Sequence, residues 1–242
     1  GDVGYLTAFA KELESSATQK MSLSLSNKVN VIKVQTKEDR DRAISVLKRT
    51  YDQEKHWIYD ADDFFPEVDL GRDDISWFVS QIKDEPVGVL RVMYNPPLEL
   101  YKEYGFKQLD SGLDVEAFVN ENKIAEIGRF AVLPEYRRYI VVVAALMRAA
   151  SQETVEREYS HYVTDIFEGE KHSPYEFHTR VMGFKPVATH DVGELNCPNR
   201  RITMILDIHE AYNRIRKKQK WIFRFLTKGW SDELHSKLLD RD

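Results

Sequence analysis

The chain has 242 residues, of which 42% are hydrophobic and 31% charged, a composition typical of soluble globular proteins with a substantial core. Its formal net charge of -5 argues against a nucleic-acid-binding protein. The single cysteine, Cys197, excludes an internal disulfide, and neither a run of about 18 apolar residues nor a signal-peptide pattern occurs, so we expect a cytoplasmic protein.

The first elements are predicted from periodicity and capping chemistry. Apolar residues at helical spacing over 4–20 predict a helical arm, and a serine-rich linker follows it up to residue 28. Residues 29–35 alternate as a strand does. Thr36 then has Asp39 three residues on, which is close to a capping box and predicts that a helix begins here.

Residues 52–73 combine aromatic and acidic side chains with little periodicity. Long loops of this kind often line a binding site, where an aromatic cluster can enclose an acyl chain or an aromatic amine. The alternative is a loop that its aromatic residues fasten to the core. Asp60, Asp62 and Asp63 lack the glycine and the terminal glutamate of a calcium loop, so no metal site is expected.

Two strands, 75–82 and 86–94, form a predicted hairpin, and an insertion of short helices and loops over 98–122 follows it. Arg91 lies within the apolar run of the second strand. Because an unpaired charge is costly to bury, Arg91 needs a partner. It either binds a carboxylate of a substrate or pairs with Glu126.

The most informative stretch is 123–150. Residues 124–133 read as an apolar strand that carries two charges, Glu126 and Arg129; Pro134 ends it, a polar turn follows, and a long helix begins near Tyr139. The two charges indicate either a structural ion pair or a site of chemistry.

A strand that ends in Val-Leu-Pro-Glu-Tyr-Arg-Arg and runs into a helix resembles motif A of the GCN5-related N-acetyltransferase (GNAT) superfamily. The segment from Glu126 to Phe130, Glu-Ile-Gly-Arg-Phe, resembles the Glu-Leu-Ser-Arg-Phe of acyl-homoserine-lactone synthases and is similarly close to long-chain N-acyl amino acid synthases. The resemblance implies an α/β fold, with a mixed, mainly antiparallel sheet of about seven strands flanked by helices. The implied acyltransferase domain covers 29–208, between an arm at 1–28 and a basic helical tail at 209–242.

The resemblance also implies roles for individual residues. Glu126 is the candidate general base, taking a proton from an amine directly or through water, with Arg129 beside it. A β-bulge near Gly128 would turn both side chains toward the cleft and free a backbone amide for the thioester carbonyl. The implied contacts are, for the substrate, Arg91, Trp57, Asp60, Asp63, Phe130 and His178, and, for the phosphopantetheine, Val132, Leu133, Arg137, Arg138 and Tyr139.

The acyl donor is predicted from what the helix start lacks. Related acetyltransferases carry glycines after the basic pair, where the backbone approaches a pyrophosphate, whereas here residues 139–142 are Tyr, Ile, Val and Val. The absence of glycines favours the single phosphodiester of an acyl carrier protein over the pyrophosphate of coenzyme A. Core packing alone would also explain the valines. The donor is then an acyl-phosphopantetheine thioester, and no permanently bound cofactor or metal is expected.

The rest of the chain predicts a strand at 161–167, a helix opened by Ser173-Pro174, and strands at 184–190 and 201–208. Simple acetyltransferases usually carry a tyrosine acid four residues before the glycine that ends this helix. Here that position is Thr179, beside His178, which either substitutes for the tyrosine or is structural.

The tail concentrates positive charge over 214–230. It is either a dock for acidic carrier protein, a peripheral contact with an anionic membrane, or a solvated helix face.

Together these features predict an N-acyltransferase that moves a medium- or long-chain acyl group from acyl carrier protein to the amine of an amino acid or similar small amine. The alternatives are an acyl-homoserine-lactone synthase, an acyl-coenzyme A-dependent acetyltransferase, and a non-catalytic module that binds an acyl ligand.

Overall fold

The computed structural model describes residues 24–25, 27–97, 107–109, 112–171 and 173–240. The predicted helical arm at 4–20 lies outside these ranges. The strands are β1 (Val29–Lys33), β2 (Ile75–Ile82), β3 (Glu85–Tyr94), β4 (Lys107–Gln108), β5 (Ile124–Val132), β6 (His161–Phe167), β7 (Lys185–His190) and β8 (Arg201–Asp207). The helices are α1 (Lys37–Leu47), α2 (Ala61–Phe64), α3 (Val115–Glu121), α4 (Ile140–Glu156), α5 (Ile208–Lys218), α6 (Lys220–Leu226) and α7 (Asp232–Ser236), with π-helical turns at Lys48–Glu54 and Phe177–Met182.

The eight strands form one sheet in the order β1-β2-β3-β5-β6-β8-β7-β4, in which every neighbouring pair is antiparallel except β5 and β6. This confirms the predicted α/β class with a mixed, mainly antiparallel sheet. The strand beyond the expected seven is β4, which has two residues and pairs with β7 at the edge. It lies in the insertion for which only short helices and loops were predicted.

The parallel pair β5–β6 separates halfway along its length. Ile124 to Ile127 pair with His161 to Thr164, and no pairing between these strands follows. Beyond this point β5 continues beside β3 up to Val132, and β6 continues beside β8 up to Phe167. The resulting fork opens the middle of the sheet.

Helix α4 packs on one face of β1, β2 and β3. Its residues from Ile140 to Met147 are all buried, so the valines of its first turns belong to the core. Close packing depends on Gly88, where a Cβ atom would lie 2.5 Å from Ser80 Oγ and 3.1 Å from Leu146 Cδ1. Core packing, which was the alternative explanation for these valines, therefore accounts for them.

Helix α1 packs against β2 and β3, and the residues that follow it cover the face opposite α4. The predicted capping box is present, with Thr36 and Asp39 each accepting from the other's backbone N–H. Side chains alternate between the two faces, as a strand requires. Ser76 therefore bonds Glu153 of α4, while Trp77 stacks on Phe65, which follows α1, at a ring distance of 4.0 Å.

The tail folds back on the domain through α5, α6 and α7. Ile222, Phe225 and Leu226 of α6 are buried, and Arg148 of α4 lies over the Phe225 ring at 4.9 Å. The exposed cations over 214–230 are Lys217, Lys218, Lys220, Arg224 and Lys228. In the described ranges, no helix has the length and apolar character that crossing a membrane requires.

Candidate active site

A cavity of about 340 Å³ occupies the fork between β5 and β6. It is lined from one side by Trp57 and Arg91 and from the α4 side by Val143 and Phe177. The fork therefore makes one continuous space lined by residues from both faces of the sheet.

A β-bulge shapes the β5 wall of the cavity. Val89 pairs with Ala131 and Arg91 with Gly128, so the single residue Leu90 faces both Arg129 and Phe130. Arg129, in the bulge, has a φ of 50°. This left-handed conformation is costly for a residue with a side chain and is found at bulges and functional sites. The predicted bulge is thus present, immediately after Gly128, and both Glu126 and Arg129 line the cavity.

Glu126 and Arg91 form an ion pair across β3 and β5, with Arg91 Nη2 donating to Glu126 Oε1 at 3.1 Å. Gly128 lies against this pair, because a Cβ atom there would be 3.3 Å from Arg91 Nη2 and 3.4 Å from Glu126 Oε1. Burial raises the pKa of the Glu126 carboxyl, and the opposing effect of Arg91 does not cancel it. Glu126 is therefore a stronger base than an exposed carboxylate.

Arg129 lies beside the same carboxyl. Its guanidinium stacks 3.6 Å from the Phe64 ring centre and donates to Glu194 at 2.9 Å. Burial and the nearby charge of Arg91 lower its pKa. The Nε atoms of Arg91 and Arg129 are buried and have no hydrogen-bond partner among the described residues. Two cations with a free donor each are suited to binding an anion.

Aromatic side chains form much of the remaining wall. Trp57 packs on Phe167 with ring centres 4.7 Å apart, and Tyr51 donates to the Phe130 carbonyl at 2.8 Å. Burial raises the pKa of Tyr51 to about 12, so this hydroxyl stays protonated. Trp57 and Phe130, both predicted to contact the substrate, line the cavity.

His178 also lines the cavity and is 1% exposed. Its ring lies among aromatic rings, 4.9 Å from Phe184 and 6.0 Å from Phe130. Burial lowers its pKa to about 3, so the imidazole is neutral at physiological pH. Nδ1 has no hydrogen-bond partner in the described part of the chain. His178 is therefore not available as a charged proton donor. It can still form a hydrogen bond as a neutral imidazole.

The two predicted acidic contacts are not brought to the cavity. Asp60 caps α2 by accepting from the Asp62 N–H at 2.9 Å, and Asp63 is exposed on that helix. Local helix capping, which sequence spacing does not separate from ligand binding, accounts for Asp60. Within the described ranges, no group of three or more His, Cys, Asp or Glu side chains is arranged to hold a metal.

The predicted donor-binding residues divide into two groups. Val132 and Arg137 line the cavity, whereas Leu133 is buried and Arg138 and Tyr139 lie outside the lining. Arg137 is engaged by both carboxylate oxygens of Glu54, at 2.5 and 2.6 Å. Arg138 is exposed with its guanidinium 4.9 Å from the Tyr139 ring centre. Of the basic pair, Arg138 is the one accessible to a phosphate.

Six acidic or basic residues of the cavity were missed from sequence: Lys55, Asp165, Glu170, His190, Glu194 and Arg201. Asp165 bears the same signal that marks Glu126, a charge within an apolar strand. His190 and Glu194 carry no such signal, because only the packing of β7 and the loop after it brings them here. Arg201 holds that loop by donating to four of its carbonyls, including that of Cys197 at 3.0 Å.

Comparison with known proteins places this site in a family. A family model described as N-acyl amino acid synthase FeeM matches residues 42–200. No curated protein sequence gives a significant match.

Among solved structures, the fold is similar to FeeM, an N-acyl amino acid synthase from uncultured soil microbes, with a TM-score of 0.58 and 16% identity over 76% of this chain and 93% of that one. A putative GNAT acetyltransferase from Desulfovibrio desulfuricans matches with a TM-score of 0.51 and 12% identity over 74% and 99% of the two chains. An aminoglycoside 6'-N-acetyltransferase complexed with coenzyme A matches with a TM-score of 0.50 and 13% identity over 74% and 96%. At these identities the structural matches establish the GNAT fold.

Proposed function

Because the chain belongs to the FeeM family of N-acyl amino acid synthases within the GNAT superfamily and is an N-acyltransferase, we propose that it moves a medium- or long-chain acyl group from acyl carrier protein to the amine of an amino acid. The observation that carries the proposal is the continuous cavity through the β5–β6 fork, with Glu126 on its wall. Such a space lets a thioester and an amine meet beside a base.

In the proposed reaction the acceptor enters as an ammonium ion and loses a proton to Glu126, directly or through water. The free amine attacks the thioester carbonyl carbon, so the C–N bond forms and the C–S bond breaks. The nitrogen releases a second proton and the leaving thiolate takes one up. The net products are an amide, a thiol and one proton, with no covalent enzyme intermediate.

The donor side of the cavity suits an acyl-phosphopantetheine arm. Val143, Phe177 and the neutral His178 provide an apolar wall with one free hydrogen-bonding nitrogen. Arg138 alone of the basic pair is exposed, since Glu54 neutralises Arg137. One accessible cation matches a single phosphodiester better than a pyrophosphate, which supports the carrier-protein donor.

The acceptor side suits a carboxylate. Arg91 and Arg129 each have a buried Nε–H without a partner among the described residues, and they lie close enough for Arg91 to lower the pKa of Arg129. An amino acid carboxylate beside the two guanidinium groups, which both line the cavity, would relieve their mutual repulsion. This supports an amino acid over a simple amine.

The test is to incubate the protein with acyl carrier protein thioesters of several chain lengths and a pool of amino acids, and to identify products by mass spectrometry. An N-acyl amino acid supports the proposal. A lactone formed only when S-adenosylmethionine is supplied would identify a lactone synthase, and product from acetyl-coenzyme A alone would identify an ordinary acetyltransferase. No acyl transfer from any donor would contradict catalysis.

A further inference from the structure

Asp165 occupies the position on β6 where the fork opens. Thr164 is the last residue of β6 paired with β5, and Asp165 is the next residue. Glu126 pairs with Val163, and strand alternation places Asp165, two residues later, on the same face as Glu126. Both side chains line the cavity, and the charge of Asp165 contributes to the raised pKa of Glu126.

Two partners hold the Asp165 carboxylate. Thr203, its cross-strand neighbour on β8, donates to Oδ1 at 2.6 Å, and His190 Nε2 lies 3.2 Å from Oδ2. His190 Nδ1 is 2.8 Å from the Val192 carbonyl, which only accepts, so the proton on that nitrogen is required. A protonated His190 also forms an ion pair with the Asp165 carboxylate through Nε2. Each carboxylate oxygen still has a lone pair free, and the side chain is 31% exposed.

Two arginines and one carboxylate of the cavity lie on different strands of the fork. Arg91 and Arg129, on β3 and β5, supply two unsatisfied N–H donors on one side. Asp165, on β6, supplies a fixed carboxylate on the other, with Glu126 between them. The arrangement is complementary to an α-amino acid, which carries its carboxylate and ammonium groups on the same carbon atom.

We propose that Asp165 binds the ammonium group of the amino acid acceptor and aims it at Glu126, with Thr203 and His190 as positioning residues. This inference rests on the proposed function and adds to it the residue that recognises the amine of the acceptor. Asp165 takes no proton: Glu126 accepts it, and the amine then attacks the thioester. Asp165 thereby selects α-amino acids over equally shaped acids without a positive charge.

The test compares each amino acid that the enzyme acylates with its 2-hydroxy acid, for example L-phenylalanine with L-3-phenyllactate and L-leucine with L-2-hydroxy-4-methylpentanoate. The hydroxy acid keeps the carboxylate and side chain and replaces the ammonium by a hydroxyl. Inhibition constants for the hydroxy acid and KM for the amino acid are measured in the unmodified protein and in Asp165→Asn, together with KM for the donor.

We expect Asp165→Asn to weaken amino acid recognition by about 10- to 100-fold, the range for a hydrogen bond between charged groups, with hydroxy acid inhibition and donor KM within about 3-fold. Thr203→Val, which keeps the carboxylate but removes one of its holders, should give a smaller loss of the same kind. Asp191→Asn removes the same charge from an exposed neighbouring site and should leave all three constants unchanged.

Equal weakening of the amino acid and the hydroxy acid would overturn the proposal, because it would mean that Asp165 only supports the shape of the site. Unchanged amino acid recognition in Asp165→Asn would overturn it as well. Both results leave the proposed acyltransferase function standing. If no amino acid is acylated by the unmodified protein, the proposed function fails and this inference fails with it.

Discussion

Arg91 holds Glu126 by donating from Nη2 to Oε1 at 3.1 Å, and its own Nε is without a partner among the described residues. A pair of this kind positions the carboxyl and limits the increase of its pKa, which burial alone would make larger. Because one donor of Arg91 remains available, the same side chain can orient the base and contact a substrate. The ion pair predicted as the structural explanation for these charges is therefore compatible with the proposed catalytic role of Glu126.

Replacing Glu126 by Gln tests the base directly. The amide keeps the shape and can still accept from Arg91, but it cannot take a proton, so we expect kcat to fall by roughly 10²–10⁴-fold. Steady-state rates with a saturating acyl donor measure this. Glu156→Gln, an exposed position on α4, is the matched control and should behave like the unmodified protein. Activity within a few-fold combined with a lower Tm would show that Glu126 is only a structural partner of Arg91.

The pH dependence of kcat/KM should report the same carboxyl. Glu126 must be ionised to act, so activity should rise with pH through an apparent pKa above the ordinary value of 4.5. The charges that act on Glu126 are Arg91 and Arg129, which lower its pKa, and Asp165 and Glu194, which raise it. Arg91→Gln removes the largest of the effects that lower the pKa of Glu126, so the rise of kcat/KM with pH, called here the acidic limb, should move to higher pH. A limb that stays in place would mean that another group controls the rate.

His178 should stabilise the protein less than a phenylalanine would. Its Nδ1 is buried without a hydrogen bond among the described residues, and leaving such an atom unpaired costs roughly 1–3 kcal/mol. His178→Phe keeps an aromatic ring in the cage, so we expect the free energy of unfolding at pH 7 to rise by about 1 kcal/mol. If the nitrogen contacts the donor, kcat/KM should fall at the same time by about 10-fold. A variant that loses both stability and activity would indicate a packing role.

The same residue predicts a pH effect on stability. The pKa of His178 is about 3 in the folded protein, against an ordinary value of 6.5, so between these limits the unfolded chain binds a proton that the folded protein does not. Stability should therefore be lost as pH falls below about 6.5, by up to about 1.4 kcal/mol per pH unit from this group. Denaturant unfolding between pH 7 and pH 4 should show a shallower loss in His178→Phe. His209→Gln, at an exposed position on α5, should not change the slope.

The donor can be identified from two carriers of one acyl group. Since Arg138 is the exposed cation of the basic pair, we expect kcat/KM to be at least about 10-fold higher for the carrier-protein thioester than for the coenzyme A thioester. Arg138→Ala should raise the KM for the carrier-protein donor more than it lowers kcat. Equal or better use of the coenzyme A thioester would contradict the proposed donor.

The basic tail should affect encounter with the donor protein more than turnover. Lys217, Lys218 and Lys220 are exposed, and carrier proteins are acidic, so their replacement by Glu should raise the KM for the carrier-protein donor and leave kcat nearly unchanged. The variant should also show a flatter dependence on salt, because long-range attraction is screened over about 8 Å at physiological ionic strength.

The competing explanation for the tail is contact with an anionic membrane. It predicts lost binding to vesicles that contain phosphatidylserine, with the carrier-protein kinetics intact. The apolar residues of α6 are already covered by the domain, so attraction would have to come from the lysines alone. A variant in which neither property changes would show that the tail is a solvated helix face.

The sequence by itself determined the features that depend on residues close together along the chain. Short apolar runs and the hairpin signal predicted β2, β3, β5 and β6 to within a residue or two, and the Thr36–Asp39 pattern predicted the start of α1. Arg91, Glu126 and Arg129 were identifiable because burying a charge in an apolar strand costs free energy unless the charge is paired or binds a ligand. The bulge that brings Glu126 and Arg129 to one side followed from the period of a strand, since residues three apart otherwise face opposite ways.

Only the tertiary structure decided which charges meet. Glu54 and Arg137 are far apart in sequence, and their pairing leaves Arg138 as the exposed cation. Asp165 of β6 and His190 of β7 pair across β8, which lies between their strands. Asp60 instead caps its own helix. The position of the fork also depends on long-range pairing, because the end of hydrogen bonding between β5 and β6 leaves no local trace in either strand. A charge reveals that it needs a partner, but the partner is chosen by packing between elements distant in the chain.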